Sequence, residues 1–261
     1  MPGRRIAAIL HRTGHWKNLV GQWRRRPAYQ HRISGVTQQH GGKIAAVIPA
    51  WNEAATIAQV VSGLQGIALP IVVDDGSSDD TAALALQGGA VVVRHGVNRG
   101  YDAAIDSGFA EAARLGCEYV ITIDADGQHD TAALIAAVGI LQTGARLTVG
   151  VRDVQQRLGE TLFCLVGKRM WGMDDPLCGV KGYHIDLYRK LGAFDTYRSV
   201  GTQLAIHSVL TGTPVVQFPL KTRERLGQPR FGTTLNANLK IVRALAIGIY
   251  RTIRHRYVVR T

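Results

Sequence analysis

Two aspartates one residue apart, Asp124 and Asp126, follow the apolar β-type run Tyr119–Ile123, and Gly127 and Gln128 come directly after them. In an extended segment alternate residues point the same way, so both carboxylates converge where the strand ends. Two hard carboxylate oxygens and the amide oxygen of Gln128 form a donor set for Mg2+ or Mn2+. An ion held this way takes phosphate oxygens as further ligands. Taken alone, the segment is also explained as a solvated acidic turn; with its companions it points to chemistry on a nucleotide.

Three further polar clusters precede it. In Ile48-Pro49-Ala50-Trp51-Asn52-Glu53, Trp51 offers a face for a base and Glu53 an acceptor for sugar or base hydroxyls and amines, with Pro49 ending the strand. Taken alone, a plain strand exit is the simpler explanation of that cluster. In Asp74-Asp75-Gly76-Ser77-Ser78-Asp79-Asp80-Thr81, turn and capping chemistry accounts for the later residues. It leaves the adjacent carboxylates unexplained, because they repel, so one of them is expected to meet a ligand donor. In Asn98-Arg99-Gly100 through Gly108, small residues at helical spacing let a helix pack closely beneath a bound nucleotide.

These clusters need a scaffold that brings strand ends together. From residue 43, strand-like runs (44–48, 71–73, 91–94, 119–123, 147–151) alternate with helix-like ones (53–64, 79–86, 101–115, 131–141). That order predicts an α/β domain with a mainly parallel central sheet flanked by helices. In such sheets ligands bind beyond the carboxyl ends of the strands, where every polar cluster falls, Arg152 included. After residue 153 the pattern is less regular. It holds Asp174-Asp175-Pro176, a helix near 202–210, a strand near 215–218 and a basic loop over 221–230.

The flanks are basic. The chain of 261 residues carries a formal charge of +12, with 46% hydrophobic residues, enough for a buried core. Such a charge points to an anionic partner: nucleic acid, a membrane surface or a phosphorylated substrate. Residues 1–42 form a basic arm with Trp16 and Trp23 interleaved, 43–232 the catalytic domain, and 233–261 a basic amphipathic helix. On a helical wheel Leu235, Leu239, Val242, Ala246, Ile249 and Ile253 fall within about 80°, opposite Lys240, Arg243, Arg251 and Arg254. That helix either lies on an anionic bilayer or packs on the domain with its basic face in water. Three cysteines without CxxC spacing argue against a disulfide framework or a structural zinc site. No apolar run reaches the roughly 18–20 residues that cross a bilayer, so a cytoplasmic, peripheral placement is expected.

The ordered motifs Pro49-Ala-Trp-Asn-Glu53, Val73-Asp-Asp-Gly-Ser77, Asn98-x-Gly100, Asp124-Ala-Asp-Gly-Gln128-His, Val149-Gly-Val-Arg152, Asp175-Pro-Leu-Cys-Gly179-Val-Lys-Gly-Tyr183 and Arg223-Glu-Arg225-Leu-Gly-Gln-Pro-Arg230 cover residues 43–232. Together they resemble the inverting family 2 nucleotide-sugar glycosyltransferases, in style the dolichyl- and polyprenyl-phosphate mannosyl- and glucosyltransferases. The resemblance implies a GT-A fold, a nucleotide-diphosphate sugar donor, a divalent cation, Mg2+ or Mn2+, and a polyprenyl-phosphate or other lipid-linked acceptor at the inner face of a membrane. It assigns Pro49, Trp51, Glu53, Asp74 and Asp75 to the nucleoside, and Asp124, Ala125 and Asp126 to the diphosphate. Asp124, Asp126 and Gln128 match the metal motif, and Arg152, Arg225 and Arg230 match positions that meet phosphates. Departures at Tyr101-Asp102, at Gly227-Gln-Pro-Arg230 and at Cys178 bear on donor and acceptor identity more than on the reaction.

The implied step is in-line displacement at the anomeric carbon with inversion. A phosphate acceptor is already an anion and needs no base; a hydroxyl acceptor needs one, for which Asp175 is the candidate, though a turn residue is its plainer reading. A phosphatase of the Asp-x-Asp-x-Thr type would need Thr where Gln128 stands. A dinucleotide oxidoreductase would show G-x-G-x-x-G where residues 49–53 stand. A basic nucleic-acid-binding protein accounts for the charge but leaves the acidic strand ends without a purpose.

Overall fold

The computed structural model describes residues 42–127, 131–153, 155, 157–221 and 234–258. The basic arm, Gln128 and the loop with Arg225 and Arg230 lie outside the described residues. Seven strands form one sheet in the order β3-β2-β1-β4-β6-β5-β7. They are β1 (Ile44–Ala50), β2 (Leu69–Asp74), β3 (Val91–Arg94), β4 (Tyr119–Thr122), β5 (Leu147–Arg152), β6 (Lys181–His184) and β7 (Val215–Leu220). The expected order of strands and helices through β5 is observed. All pairings are parallel except those of β6, which runs antiparallel between β4 and β5.

The helices are α1 (Ile57–Ser62), α2 (Thr81–Gln87), α3 (Tyr101–Arg114), α4 (Thr131–Gln142), α5 (Leu158–Trp171), α6 (Ile185–Leu191), α7 (Gln203–Leu210) and α8 (Thr234–Val258). They cover both faces of the sheet, and each face has its own apolar core. One is centred on Ile48, Ile121, Leu134 and Leu141, the other on Val47, Phe109, Phe163 and Tyr183. α3 lies close to β1 because Ala104, Gly108 and Ala112 face it. A Cβ on Gly108 would stand 2.3 Å from Val47 Cγ1.

Several boundaries differ from expectation, each for a physical reason. β1 continues through Pro49 rather than stopping there. Ile123 N–H donates to the Val47 carbonyl, while Asp75 N–H donates to the Ala50 carbonyl. Odd-numbered residues of β1 therefore face β4 and even-numbered ones face β2. The ladder to β4 ends at Val47↔Thr122, so the N–H that Pro49 lacks would have found no partner there. The helix expected from Glu53 begins at Ile57, preceded by a turn in which Thr56 and Ile57 N–H both donate to the Glu53 carbonyl, while Glu53 N–H donates to Thr81 Oγ1 at 2.8 Å. The segments α5, β6 and α6 were not resolved by the sequence pattern. β6 is four residues long and carries Lys181 and Gly182, which break any apolar run.

α8 corrects the reading of the helical wheel. Its packed face is Ala237, Ile241, Ala244 and Leu245, not the apolar stripe the wheel selects. Burying Ile241 and Leu245 contributes about 1.5–3 kcal/mol each. Lower down, Trp171 Nε1 donates to Thr252 Oγ1 at 2.9 Å and the ring lies against Gly248. Leu239, Val242 and Ile253 stay exposed.

Candidate active site

The carboxyl ends of β1, β2, β4 and β5 open on the same edge of the sheet, and the polar clusters meet there. Beyond β1, Asn52 adopts a left-handed conformation (φ 52°), which asparagine tolerates. Its side-chain Oδ1 accepts from Ser78 N–H at 2.9 Å, and its backbone N–H donates to Ser77 Oγ at 2.8 Å. The first two clusters are thereby locked together. Trp51, immediately before this turn, is 42% exposed. Glu53 is nearly buried: Thr56 Oγ1 stands 3.1 Å from Glu53 Oε2 and 2.8 Å from the Ala125 carbonyl. One hydroxyl thus ties the first cluster to the Asp124–Asp126 turn.

The Asp74–Asp75 pair is balanced inside the protein. Asp74 is fully buried and accepts from Ser77 N–H and from Arg94 Nε, both at 3.1 Å. Asp75 accepts from the Arg99 and Gly100 N–H groups at 2.9 and 2.8 Å, and its Oδ1 lies 2.6 Å from His95 Nδ1. His95 Nε2 in turn meets Ser107 Oγ at 2.9 Å. Repulsion between the two acids therefore does not require a ligand donor, contrary to the inference from sequence. Asp75 holds the Asn98–Gly100 loop in place, and His95, unnoticed in the sequence, orients Asp75. Only its place directly after a strand end could have marked it.

β4 delivers Asp124 and Asp126 as expected, Asp126 buried and Asp124 partly so. Asp124 lies against Gly179, in the segment that leads into β6. A Cβ at Gly179 would come within 2.2 Å of Asp124 Oδ2 and 2.9 Å of Cγ. Thr122 Oγ1 donates to the Gly179 carbonyl at 2.7 Å, fixing that approach. Among the described residues no three His, Cys, Asp or Glu side chains gather to hold a metal.

At the end of β5 the structure joins two residues that the sequence reading treated separately. Arg152 Nε and Nη2 donate to the two oxygens of Asp175 at 2.7 and 3.0 Å, and Arg152 N–H donates to the same acid. Asp175 is fully buried. Arg152 Nη1 lies 3.2 Å from Glu160, which also pairs with Arg157 at 2.8 Å. The two charge-assisted bonds to Asp175 are bidentate, the geometry that holds a guanidinium most firmly. Burial and the neighbouring Asp175 push the Cys164 thiol up to about 12, so it stays protonated.

Lys181 lies close to Asp124 and Asp175. It sits on β6, almost fully buried, with Nζ donating to the Gly201 carbonyl at 3.2 Å. Burial pushes its pKa down, opposed by Cys178, Asp175 and Asp124 nearby. A lone lysine within the run Val180–Tyr183 was the available signal. Across from it, Asp102 Oδ1 accepts from Gly201 N–H at 2.7 Å. Burial, then repulsion from Asp195, pushes the Asp102 carboxyl up to about 7. The segment they share carries Arg198 and Val200 at positive φ, a conformation rarely adopted by a β-branched residue.

Residues 45–161 match the family described as "Glycosyl transferase family 2". Over 226 residues the chain is 27% identical to protein MJ1222 of Methanocaldococcus jannaschii, covering 80% of this chain and 93% of that protein. It is 34% identical over 118 residues to the polyprenol monophosphomannose synthase of Mycolicibacterium smegmatis, covering 41% of this chain and 44% of the synthase. The chain thus spans less than half the length of that relative. Its fold is similar to that of glucosyl-3-phosphoglycerate synthase from Mycobacterium tuberculosis in complex with Mn2+, uridine-diphosphate and glucosyl-3-phosphoglycerate. The TM-score is 0.67 at 22% identity, over 85% of each chain. Residues 45–161 therefore carry the match to glycosyl transferase family 2, within an α/β sheet whose fold is that of GT-A structures.

Proposed function

We propose that the protein moves a hexose-type sugar, with inversion, from a nucleotide-diphosphate donor to a polyprenyl-phosphate or other lipid-linked acceptor in cell-envelope glycan synthesis. The observation that carries this reading is the meeting of Asp124 with Gly179, which lies four residues along the chain from Asp175 and its Arg152 partner. A donor diphosphate at the first and an acceptor phosphate near the second would face each other across the sugar.

In this reading Pro49, Trp51, Glu53, Asp74 and Asp75 shape the nucleoside end. Trp51 supplies a face, while Asp74 and Asp75 keep the surrounding turns rigid. Asp124, Ala125 and Asp126, with Gln128, hold the diphosphate end and a Mg2+ or Mn2+ ion. When bound, that ion supplies positive charge against the leaving diphosphate. Arg152, with Arg225 and Arg230, is assigned to phosphate groups, and Asp175 fixes the orientation of Arg152. Because both Asp175 oxygens already accept from Arg152, an acceptor that is itself an anion is favoured over a hydroxyl that needs a base. The likeness to a polyprenol monophosphomannose synthase supports the same acceptor class. The placement that follows is peripheral, at the inner face of the membrane, on its anionic surface.

Thermal shifts with UDP, GDP, dTDP and CDP sugars plus Mn2+ identify the donor, since a ligand that binds the folded state raises its apparent stability. Transfer is then followed to polyprenyl phosphate and to soluble hydroxyl acceptors. Asp126→Ala is expected to lower turnover at least 100-fold at saturating metal. Unchanged turnover would remove the acidic pair from the site, and transfer to hydroxyl acceptors alone would overturn the acceptor assignment.

A further inference from the structure

Two exposed apolar stripes lie side by side on the outer surface. On α5, Leu158, Leu162 and Leu165 are 86%, 46% and 68% exposed. They fall within about 60° of helical arc. On α8, Leu239, Val242 and Ile253 are exposed on an arc that Tyr250 and Tyr257 continue. The seam between the helices is marked at one end by Gly159 N–H donating to Asn238 Oδ1 at 3.1 Å. At the other end, Arg256 Nη2 donates to the Met170 carbonyl at 3.2 Å. Moving outward from that seam, the next positions on α5 are the leucines and the next on α8 are Val242, Ile249 and Ile253. The stripes therefore join into one apolar surface spanning both helices.

Its borders are predominantly basic, the exception being Asp174, which pairs with Lys168 at 3.2 Å at the end of α5. Lys168 stands exposed along the α5 edge and Arg169 at the C-terminal end of the leucine stripe, while Arg243 and Arg254 line the α8 edge. α8 contains no acidic residue, and the only one in α5, Glu160, is buried against Arg152 and Arg157. We infer that this two-helix surface docks the protein on an anionic lipid bilayer. The apolar strip enters the interface while the basic rims meet headgroups, with Tyr250 and Tyr257 at the boundary where amphipathic rings settle. A second copy of the chain is disfavoured as occupant, because face-to-face pairing would set basic rim against basic rim. The surface begins at Leu158, two residues from the Glu160–Arg152 pair, so docking would bring the arginine end of the site to the lipid headgroups. This deepens the membrane part of the proposed function and rests on it only for the identity of the acceptor.

The test uses the full chain and vesicles of phosphatidylcholine with 30% phosphatidylglycerol, against pure phosphatidylcholine. The parent is expected to sediment with the anionic vesicles, and the variant Leu158→Gln/Leu162→Gln/Leu165→Gln to bind them at least tenfold more weakly. These side chains are exposed, so the thermal midpoint of the variant should match the parent. Donor-nucleotide thermal shifts, which read the sugar site, should be unchanged. Equal vesicle binding by parent and variant, or none by the parent, overturns the inference. So does a parent dimer that the variant dissociates while vesicle binding is unaffected. Loss of nucleotide binding in the parent would instead count against the glycosyltransferase site and leave the docking result standing.

Discussion

The contact between Gly179 and Asp124 makes the acidic pair testable without touching it. In Gly179→Ala the new methyl would sit 2.2 Å from Asp124 Oδ2 and 2.9 Å from its Cγ. An ordinary carbon–oxygen contact is about 3.3 Å, so the carboxylate has to move by about 1 Å. The Gly179 backbone is not among the positive-φ positions, so alanine itself fits the chain. The cost to stability is that of modest overpacking, about 1–2 kcal/mol. The cost to function is larger: Mg2+ ligation tolerates little departure from about 2.1 Å, and a misplacement of about 1 Å in a site costs roughly 100-fold. That factor corresponds to about 2.7 kcal/mol of transition-state stabilisation. The assay is steady-state transfer across a Mn2+ titration, with thermal midpoints in parallel. Asp124→Ala and the double variant complete a cycle. If Gly179 acts only through Asp124, the double variant should be no worse than Asp124→Ala alone. Turnover of Gly179→Ala within threefold of the parent, at an unchanged metal midpoint, would refute the reasoning.

Two other perturbations follow from buried charge. The folded chain holds the Asp102 proton up to about pH 7, whereas an unfolded aspartate releases it near pH 3.9. The folded state therefore binds more protons across that window, and stability falls as pH rises through it, by at most about 4 kcal/mol. Asp102→Asn keeps an acceptor for Gly201 N–H, so urea unfolding at pH 5.5 and 8 should show a flatter dependence than the parent; equal slopes would count against it. Asp175→Asn removes the charge that two Arg152 bonds require and should lower stability by about 3 kcal/mol whichever acceptor is used. A thermal midpoint equal to the parent's would contradict the buried pairing, and turnover of this variant has to be compared per folded molecule.

Much of the first half of the fold was legible because its strands are continuous apolar runs. A parallel strand covered on both faces has to be such a run, as Ile44–Ile48 and Tyr119–Thr122 are. β6 was not legible. Its four residues include a glycine and a buried lysine, and its antiparallel place between β4 and β5 depends on partners distant in sequence. The clusters of the site were visible as strand-end polarity, but their internal pairings were not. The ion pair of Arg152 with Asp175 joins residues from two elements, and nothing in the spacing of either announces the other.

The sequence alone determined the residue types at each strand end, the helix–strand alternation and the two-sided character of α8, because these are local periodicities and local chemistry. Tertiary structure decided which of them share a site and which face the solvent. Asp74 and Asp75 became internally balanced once Arg94, His95 and the Arg99–Gly100 backbone closed on them. Helix α8 buried Ile241 and Leu245 among the small residues Ala237, Ala244 and Gly248 rather than its apolar stripe, with Ile241 close to Gly159 and Gly248 against Trp171 of α5. A wheel ranks faces by polarity; packing ranks them by shape, and in α8 shape prevailed.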